Sequence, residues 1–327
     1  MPNTENTTRI LRLNCLPENF EALAEDIAAQ LIPLYGEAGA CMYLEQAEHI
    51  FSSYITDPTL RFWAEMERDR CHAAVLSHLS PERGEITLTH RLGETQDPAR
   101  DAALLHTAIA DLKERGADCV LAEFLPTSPF ASRPVFAATG FVRVTRDLLS
   151  LTLDSLPSKS LEDIRPLDLA SADDASHCLA QSYADDPGRH LHAEVQGEEG
   201  ARGLIERVLA GGFGVTMPGM NLGLWRDGEC VALALGCLLA PRMGFTLQLA
   251  VHPDYRLEGL ARRILDSQLC AFMESDCVLA RLAVTRANIP ACKLYRRMGY
   301  ATERTFDAQV WYRDWPPQSM EDLRQLN

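Results

Sequence analysis

Leu249-Ala250-Val251-His252-Pro253-Asp254-Tyr255-Arg256-Leu257-Glu258-Gly259-Leu260-Ala261-Arg262-Arg263 changes character twice. Its first three residues end a segment that starts at Phe245, in which Thr246 and Gln248 alternate with apolar residues, and which predicts a strand. Pro253 and Gly259 punctuate a loop. Leu260, Ile264, Leu265, Leu269 and Phe272 then recur near the 3.6-residue period of a helix with one buried face. A helix that opens straight from such a loop presents unpaired N–H groups and the positive end of its dipole. Gly259, with no side chain, and the small Ala261 leave room for a pyrophosphate to approach those groups.

A second patterned stretch lies downstream, Asn288-Ile289-Pro290-Ala291-Cys292-Lys293-Leu294-Tyr295-Arg296-Arg297-Met298-Gly299-Tyr300. Proline suits the first turn of a helix, and the Asn288 amide oxygen can accept one of the N–H groups left open there. Tyr295 falls about one and a half turns into that predicted helix.

The two stretches together resemble the GCN5-related N-acetyltransferase (GNAT) family. Its loop pattern Q/R-x-x-G-x-G/A is met by Arg256, Gly259 and Ala261. Its pattern N-x-x-A-x-x-L-Y-x-x-x-G-F/Y is met at every fixed position by Asn288, Ala291, Leu294, Tyr295, Gly299 and Tyr300. The resemblance covers the second half of the chain and implies acetyl-CoA as co-substrate. Its contacts would be Leu249, Ala250 and Val251 through their backbone, the loop residues Arg256, Leu257, Glu258, Gly259, Leu260 and Ala261, and Asn288 and Tyr295. The resemblance further implies that Tyr295 lies near the CoA sulfur and protonates the departing thiolate. A splayed strand would donate to the acetyl carbonyl, and an amine would attack the thioester directly, with no covalent enzyme intermediate.

Two departures matter. Glu258 stands where family loops often carry a basic or polar residue, and an acid beside a pyrophosphate is unfavourable unless it points away. Gln248 or Leu249 occupies the strand position of the family's glutamate, so the general base must come from elsewhere. Asp185, Asp186, His190, His192, Glu194 and Glu303 are the candidates, alongside a water relay or an already deprotonated acceptor. His252 reads as a loop-structural residue.

Beyond these stretches, the two halves of the chain are alike. Each carries Asp-Cys-Val-Leu-Ala, at 118–122 and 276–280, followed some twenty residues later by Gly140-Phe141 or Gly299-Tyr300. Each run is preceded by a helical stripe, Leu104, Leu105, Ala108, Ile109 and Leu112 in the first half, and each half opens with a short strand pattern, Ile10 to Leu13 and Ile164 to Leu167. Asp227-Gly228 predicts a tight hairpin, and two strands are expected after Tyr300. The expected fold is α/β: two tandem GNAT domains, each a mixed, mostly antiparallel sheet flanked by helices. The polar, proline-containing stretch Asp154 to Glu162 sets the expected division at 1–155 and 156–327.

The first copy has lost the chemistry. Aligning the helix stripes places its loop at Gln96 to Asp101, or at Pro98 to Ala103 in a second register, and neither contains glycine. Counting back from Gly140-Phe141 puts Phe136 at the place of Tyr295 and Ser132 at that of Ala291. This half is expected to be non-catalytic, leaving one CoA per chain.

The formal net charge of -15 repels phosphate backbones and anionic lipids, so neither nucleic acid nor membrane is an expected partner. The ten cysteines are scattered without C-x-x-C or metal-ligand spacing and read as reduced thiols of a cytoplasmic protein, with no metal. The expected activity is transfer of an acetyl group to a primary amine on a small molecule. A protein or peptide N-acetyltransferase and a non-catalytic CoA-binding regulatory module are the alternatives. Monomer and homodimer both stay open.

Overall fold

The computed structural model describes residues 8–80, 83–93, 97–123, 133–154, 163–186, 189–195, 197–217 and 219–313. Beyond Asp154 the expected linker lies outside these residues, as do Gln96 and Ser132. The elements of the first half are β1 (Arg9–Arg12), α1 (Phe20–Thr56), β2 (Leu60–Glu67), β3 (Arg70–Leu79), β4 (Gly84–Arg91), α2 (Pro98–Glu114), β5 (Cys119–Ala122) and α3 (Arg133–Ala138). There follow β6 (Val142–Thr152), β7 (Ile164–Pro166), α4 (Ala172–Tyr183), α5 (Glu198–Leu209), β8 (Leu222–Arg226), β9 (Glu229–Ala240), β10 (Met243–Val251), α6 (Leu260–Glu274), β11 (Leu279–Thr285), α7 (Ile289–Arg297) and β12 (Ala301–Tyr312). The two strands expected after Tyr300 are one twelve-residue strand, because nothing in 301–312 breaks its ladder.

The chain forms two compact units, one of residues up to Arg143 with those from Ala308, the other Val144–Asp307. The division expected at 155/156 does not coincide with them, because strand pairing rather than chain order decides membership. In the first unit β1 to β4 pair antiparallel, β4 runs parallel to β5, and β5 pairs antiparallel with Gln309 to Tyr312 of β12. In the second, β7 to β10 pair antiparallel, β10 runs parallel to β11, and β11 pairs antiparallel with Arg146 to Thr152 of β6. The same ladder is built twice, and each copy is completed by the strand that follows the other copy's last helix.

Alternation along the strands places helices on both faces. On β9, Leu233 and Leu235 join the core with α4 and α5, while Ala232 and Ala234 face Leu260 and Ile264 of α6. On β3, Ala73 and Val75 face α2 and α3, while Ala74 and Leu76 face α1. Gly84 and Gly244 are matched by the close approach of a helix: a Cβ on Gly244 would lie 2.4 Å from the Phe272 ring, and one on Gly84 3.0 Å from Leu112.

The helix ends refine the internal alignment. Gly116 (φ +102) and Asp276 (φ +61) both take the left-handed turn that ends α2 and α6, and the next N–H returns to Leu112 O at 2.9 Å or Phe272 O at 3.0 Å. Gly116 is therefore the counterpart of Asp276. The two Asp-Cys-Val-Leu-Ala runs lie two positions out of register, although the duplication that they signalled is present.

Candidate functional site

All the sequence-predicted site residues fall in the second unit. After β10, His252 caps a single 3-10 turn, its Nδ1 accepting from the Asp254 N–H at 3.4 Å, which is the structural role expected of it. Leu257 (φ +66) and Gly259 (φ +81) are left-handed. A Cβ on Gly259 would meet nothing within 4 Å, so this glycine answers to backbone conformation and leaves open space beside the helix. Gly259 supplies no side-chain cap to the first N–H groups of α6, and the helix's own bonding starts with Arg263 N donating to Gly259 O at 3.2 Å.

Glu258 pairs with Arg226 of β8, whose guanidinium lies 5.6 Å from the Tyr255 ring. The departure from the family pattern thus carries its own neutralising cation. Arg256 is engaged elsewhere: its Nη1 donates to both Asp185 oxygens at 2.9 and 2.7 Å, and its Nη2 donates to Ser182 O at 2.8 Å. These bonds tie the loop to the end of α4 and hold the Asp185 carboxyl below the usual carboxylate range.

Strand β10 opens as it nears this loop. It pairs with β11 only from Met243 to Thr246, opposite Leu279 to Leu282. A bulge at Leu247 separates Thr246 from Gln248 in the ladder to β9. Beyond it β10 keeps its β9 partners through Val251, whereas Ala283 to Thr285 of β11 pair only with β6. On the β11 side, the backbone groups of Leu249 to Val251 are released from the sheet. This is the geometry required of a strand that offers hydrogen bonds to an extended ligand.

Helix α7 begins beside the splay. Asn288 caps it, its Oδ1 accepting from Ala291 N at 3.1 Å and its Nδ2 donating to Asp186 at 2.8 Å. Tyr295 is buried, its ring edge-on to Tyr300 with centroids 5.7 Å apart. Burial raises its pKa above the ordinary tyrosine range, Cys292 and Asp186 push the same way, and Arg146 opposes them.

One further residue belongs to the site and has no motif to announce it. Tyr183, the last of α4, donates its hydroxyl hydrogen to Gln248 Oε1, and burial raises its pKa well above ordinary, with Asp186, Glu194 and Tyr295 adding to the effect and Arg146 opposing it. Its adjacency to the site is a tertiary fact; the only local signal was its place at the end of an amphipathic helix. Residues 182–186 thereby hold three parts of the site: Ser182 and Asp185 take Arg256, Tyr183 takes Gln248, and Asp186 takes Asn288. Among the candidate bases, Asp185 is bound to Arg256, and Glu303 is bound bidentately to Arg281 at 2.7 and 2.6 Å. His192 and Glu194 stay close to Tyr183.

Among the described residues, the first unit has no comparable opening at the start of α2. Asp97 caps that helix, accepting from Arg100 N at 3.2 Å. Asp101, in the first turn and buried, accepts from Arg91 Nε at 2.6 Å, while Arg91 Nη2 reaches the buried Glu65 at 2.7 Å. Carboxylates fill the place that an anion would take. Phe136 is buried edge-on to Phe141 at 5.2 Å and reproduces the Tyr295–Tyr300 pair without its hydroxyls.

A model of the acetyltransferase (GNAT) family matches residues 176–300. Among solved structures, a GCN5-related N-acetyltransferase from Sphaerobacter thermophilus aligns over 93% of this chain and 95% of its own, with TM-score 0.62 and 15% identity. A tandem GNAT protein from the clavulanic acid biosynthesis pathway aligns over 95% and 100%, with TM-score 0.52 and 14% identity. A glucosamine N-acetyltransferase region of a fungal multi-domain GH3 β-N-acetylglucosaminidase aligns over 94% of this chain and 38% of that one, with TM-score 0.65 and 12% identity. Among curated sequences none matches. At these identities the structures share the fold alone, whereas the family match falls on the segment from α4 to Tyr300. The match to the acetyltransferase (GNAT) family thus falls on residues 176–300, in a chain that carries that fold twice.

Proposed function

We propose that the chain is an N-acetyltransferase that moves an acetyl group from acetyl-CoA to a primary amine of a small molecule by direct attack, and that it works in the cytoplasm. The observation that carries this reading is the splay of β10 from β11 after Thr246 beside the open N-terminus of α6. The α6 terminus, at Gly259 to Ala261, would take the pyrophosphate. The released backbone of Leu249 to Val251 would take the pantetheine arm and the acetyl carbonyl. Tyr295, kept protonated by burial, would return a proton to sulfur. Arg256 and Asn288 would hold the site's shape, since both are bound to the end of α4.

The Arg226–Glu258 pair answers the objection that an acid in the loop repels phosphate. It weakens the reading as a CoA sensor without turnover. All ten cysteines are free thiols, in keeping with a reducing compartment. Release of thiol from acetyl-CoA, followed across a panel of small amines, tests the proposal. Amine-dependent release is the expected result; tight acetyl-CoA binding without turnover of any amine would overturn it in favour of a sensor.

A further inference from the structure

The proposed reaction leaves one role unfilled, removal of the amine's proton, and the inference about that role rests on the acetyltransferase reading. Gln248 stands at the mouth of the splay and, as a neutral amide, cannot take a proton. Its carbonyl oxygen is held by the Tyr183 hydroxyl. The Tyr183 ring in turn lies edge-on to His192, with centroids 5.0 Å apart and planes at 60°. His192 Nδ1 is 3.6 Å from Glu194 Oε1, and the two side chains are only 15% and 8% exposed.

This pair is built into the fold. His192 sits between two 3-10 turns, Arg189–Leu191 and Ala193–Val195, with its N–H bonded to Arg189 O and its carbonyl accepting from Val195 N, both at 3.1 Å. Leu191 and Val195 anchor the turns in the core. Gly200, early in α5, lets the helix close against them: a Cβ there would lie 2.2 Å from Glu194 O. A surface-borne histidine and glutamate would need none of this. The charged groups around the assembly are Glu194 on the same segment, Asp186 after α4, Arg146 from β6 and Tyr295 from α7, all acting on Tyr183.

We propose that His192, backed by Glu194, is the base that takes the proton from the attacking amine, with Tyr183 as the positioning residue that holds the imidazole against the splay. The amine nitrogen forms its bond to the acetyl carbon and gives its proton to Nε2 of His192, the ring nitrogen turned from Glu194. The C–S bond breaks with its electron pair to sulfur, which takes the Tyr295 proton. The imidazolium then loses its proton to solvent, and Tyr295 regains one from solvent, so protons are conserved over one turnover.

The test uses the full chain, its best amine from the panel, kcat/KM against pH, and acetyl-CoA affinity by calorimetry. His192→Ala should lose about 10²- to 10⁴-fold in kcat/KM with acetyl-CoA affinity unchanged. The acid-side limb of the profile should disappear, and added imidazole should restore part of the rate. His192→Asn, closer in size, is judged by the same limb in case alanine unsettles the turns. Glu194→Gln should lower kcat/KM by less than either His192 variant, because the imidazole stays in place but loses the carboxylate beside Nδ1. Tyr183→Leu should lower kcat more than Tyr183→Phe, which keeps the ring edge. An acid limb and rate that survive in both His192 variants would overturn the base alone. A native chain that binds acetyl-CoA yet acetylates no amine would overturn the base together with the enzyme reading.

Discussion

Tyr295 and Phe136 occupy equivalent points in two copies of one fold, each edge-on to an aromatic five residues later. They differ by a hydroxyl, so packing alone does not explain why one copy keeps it. Tyr295→Phe is expected to lower turnover by about 10²- to 10⁴-fold while leaving acetyl-CoA affinity intact, since the ring still packs. Because burial lifts the hydroxyl above the ordinary tyrosine value of about 10, turnover should not fall on the alkaline side below that pH through loss of this proton. An unchanged rate in the variant would make the tyrosine structural. Gly259→Glu should abolish acetyl-CoA binding, as it sets a carboxylate in the open space beside the α6 terminus and forces a side chain to φ +81; calorimetry on a variant shown to be folded decides it. The left-handed turn at Gly259 and the Asn288 cap were legible in the sequence because each depends on spacing within one loop or one helix. The partners of Arg256 and Gln248 were not, because Asp185 and Tyr183 lie 71 and 65 positions away.

Among the elements, α6 and α2 show how two helix termini differ while the helices keep the same packing. Both bury the same face, but Ala261 of α6 is matched in α2 by Asp101, which is buried against Arg91 and Glu65. The stripe made the helices legible in sequence; the buried ion cluster was not, since Arg91, Glu65 and Asp101 come from three elements. Removing Arg91 leaves the buried Asp101 without its cation while Glu65 keeps Arg100, and breaking a buried pair by removing one partner costs about 3–5 kcal/mol. Arg91→Met is therefore expected to lower the denaturant midpoint strongly without altering acetyl-CoA affinity, and a neutral effect on stability would show that the cluster is not holding the first unit together. The Arg256–Asp185 link acts on the other helix's loop. Asp185 has a depressed pKa, so its contribution is complete above the unfolded aspartate value of about 3.9 and is lost as pH falls through the lower folded value. Asp185→Asn should speed amide exchange at Arg256 to Gly259 at neutral pH, where the native link is fully formed.

For the chain as a whole, the duplication was readable and the exchange of strands was not. Helical stripes and Gly-aromatic pairs repeat locally, whereas nothing in the composition of β6 or β12 says which strand it will pair with. Residues 144–152 supply the strand beside β11, and residues 308–312 pair with β5. A cut at the polar stretch after Asp154 would therefore strip β11 of its partner and leave a row of unpaired backbone groups at the edge. The fragment 156–327 is expected to be insoluble, and the fragment 144–307, which keeps the β6–β11 ladder, to fold and bind acetyl-CoA. The expected stoichiometry has the same origin in the two copies. One copy has a helix terminus without a side-chain cap and a phenol; the other has a terminus capped by Asp97, a buried Asp101 and Phe136. Equilibrium titration of the full chain should give one acetyl-CoA per chain, the 144–307 fragment should bind with similar affinity, and Gly259→Glu should abolish binding in both. A stoichiometry of two, or a Gly259→Glu chain that still binds one equivalent, would place a working site in the half whose helix terminus is already filled with carboxylates.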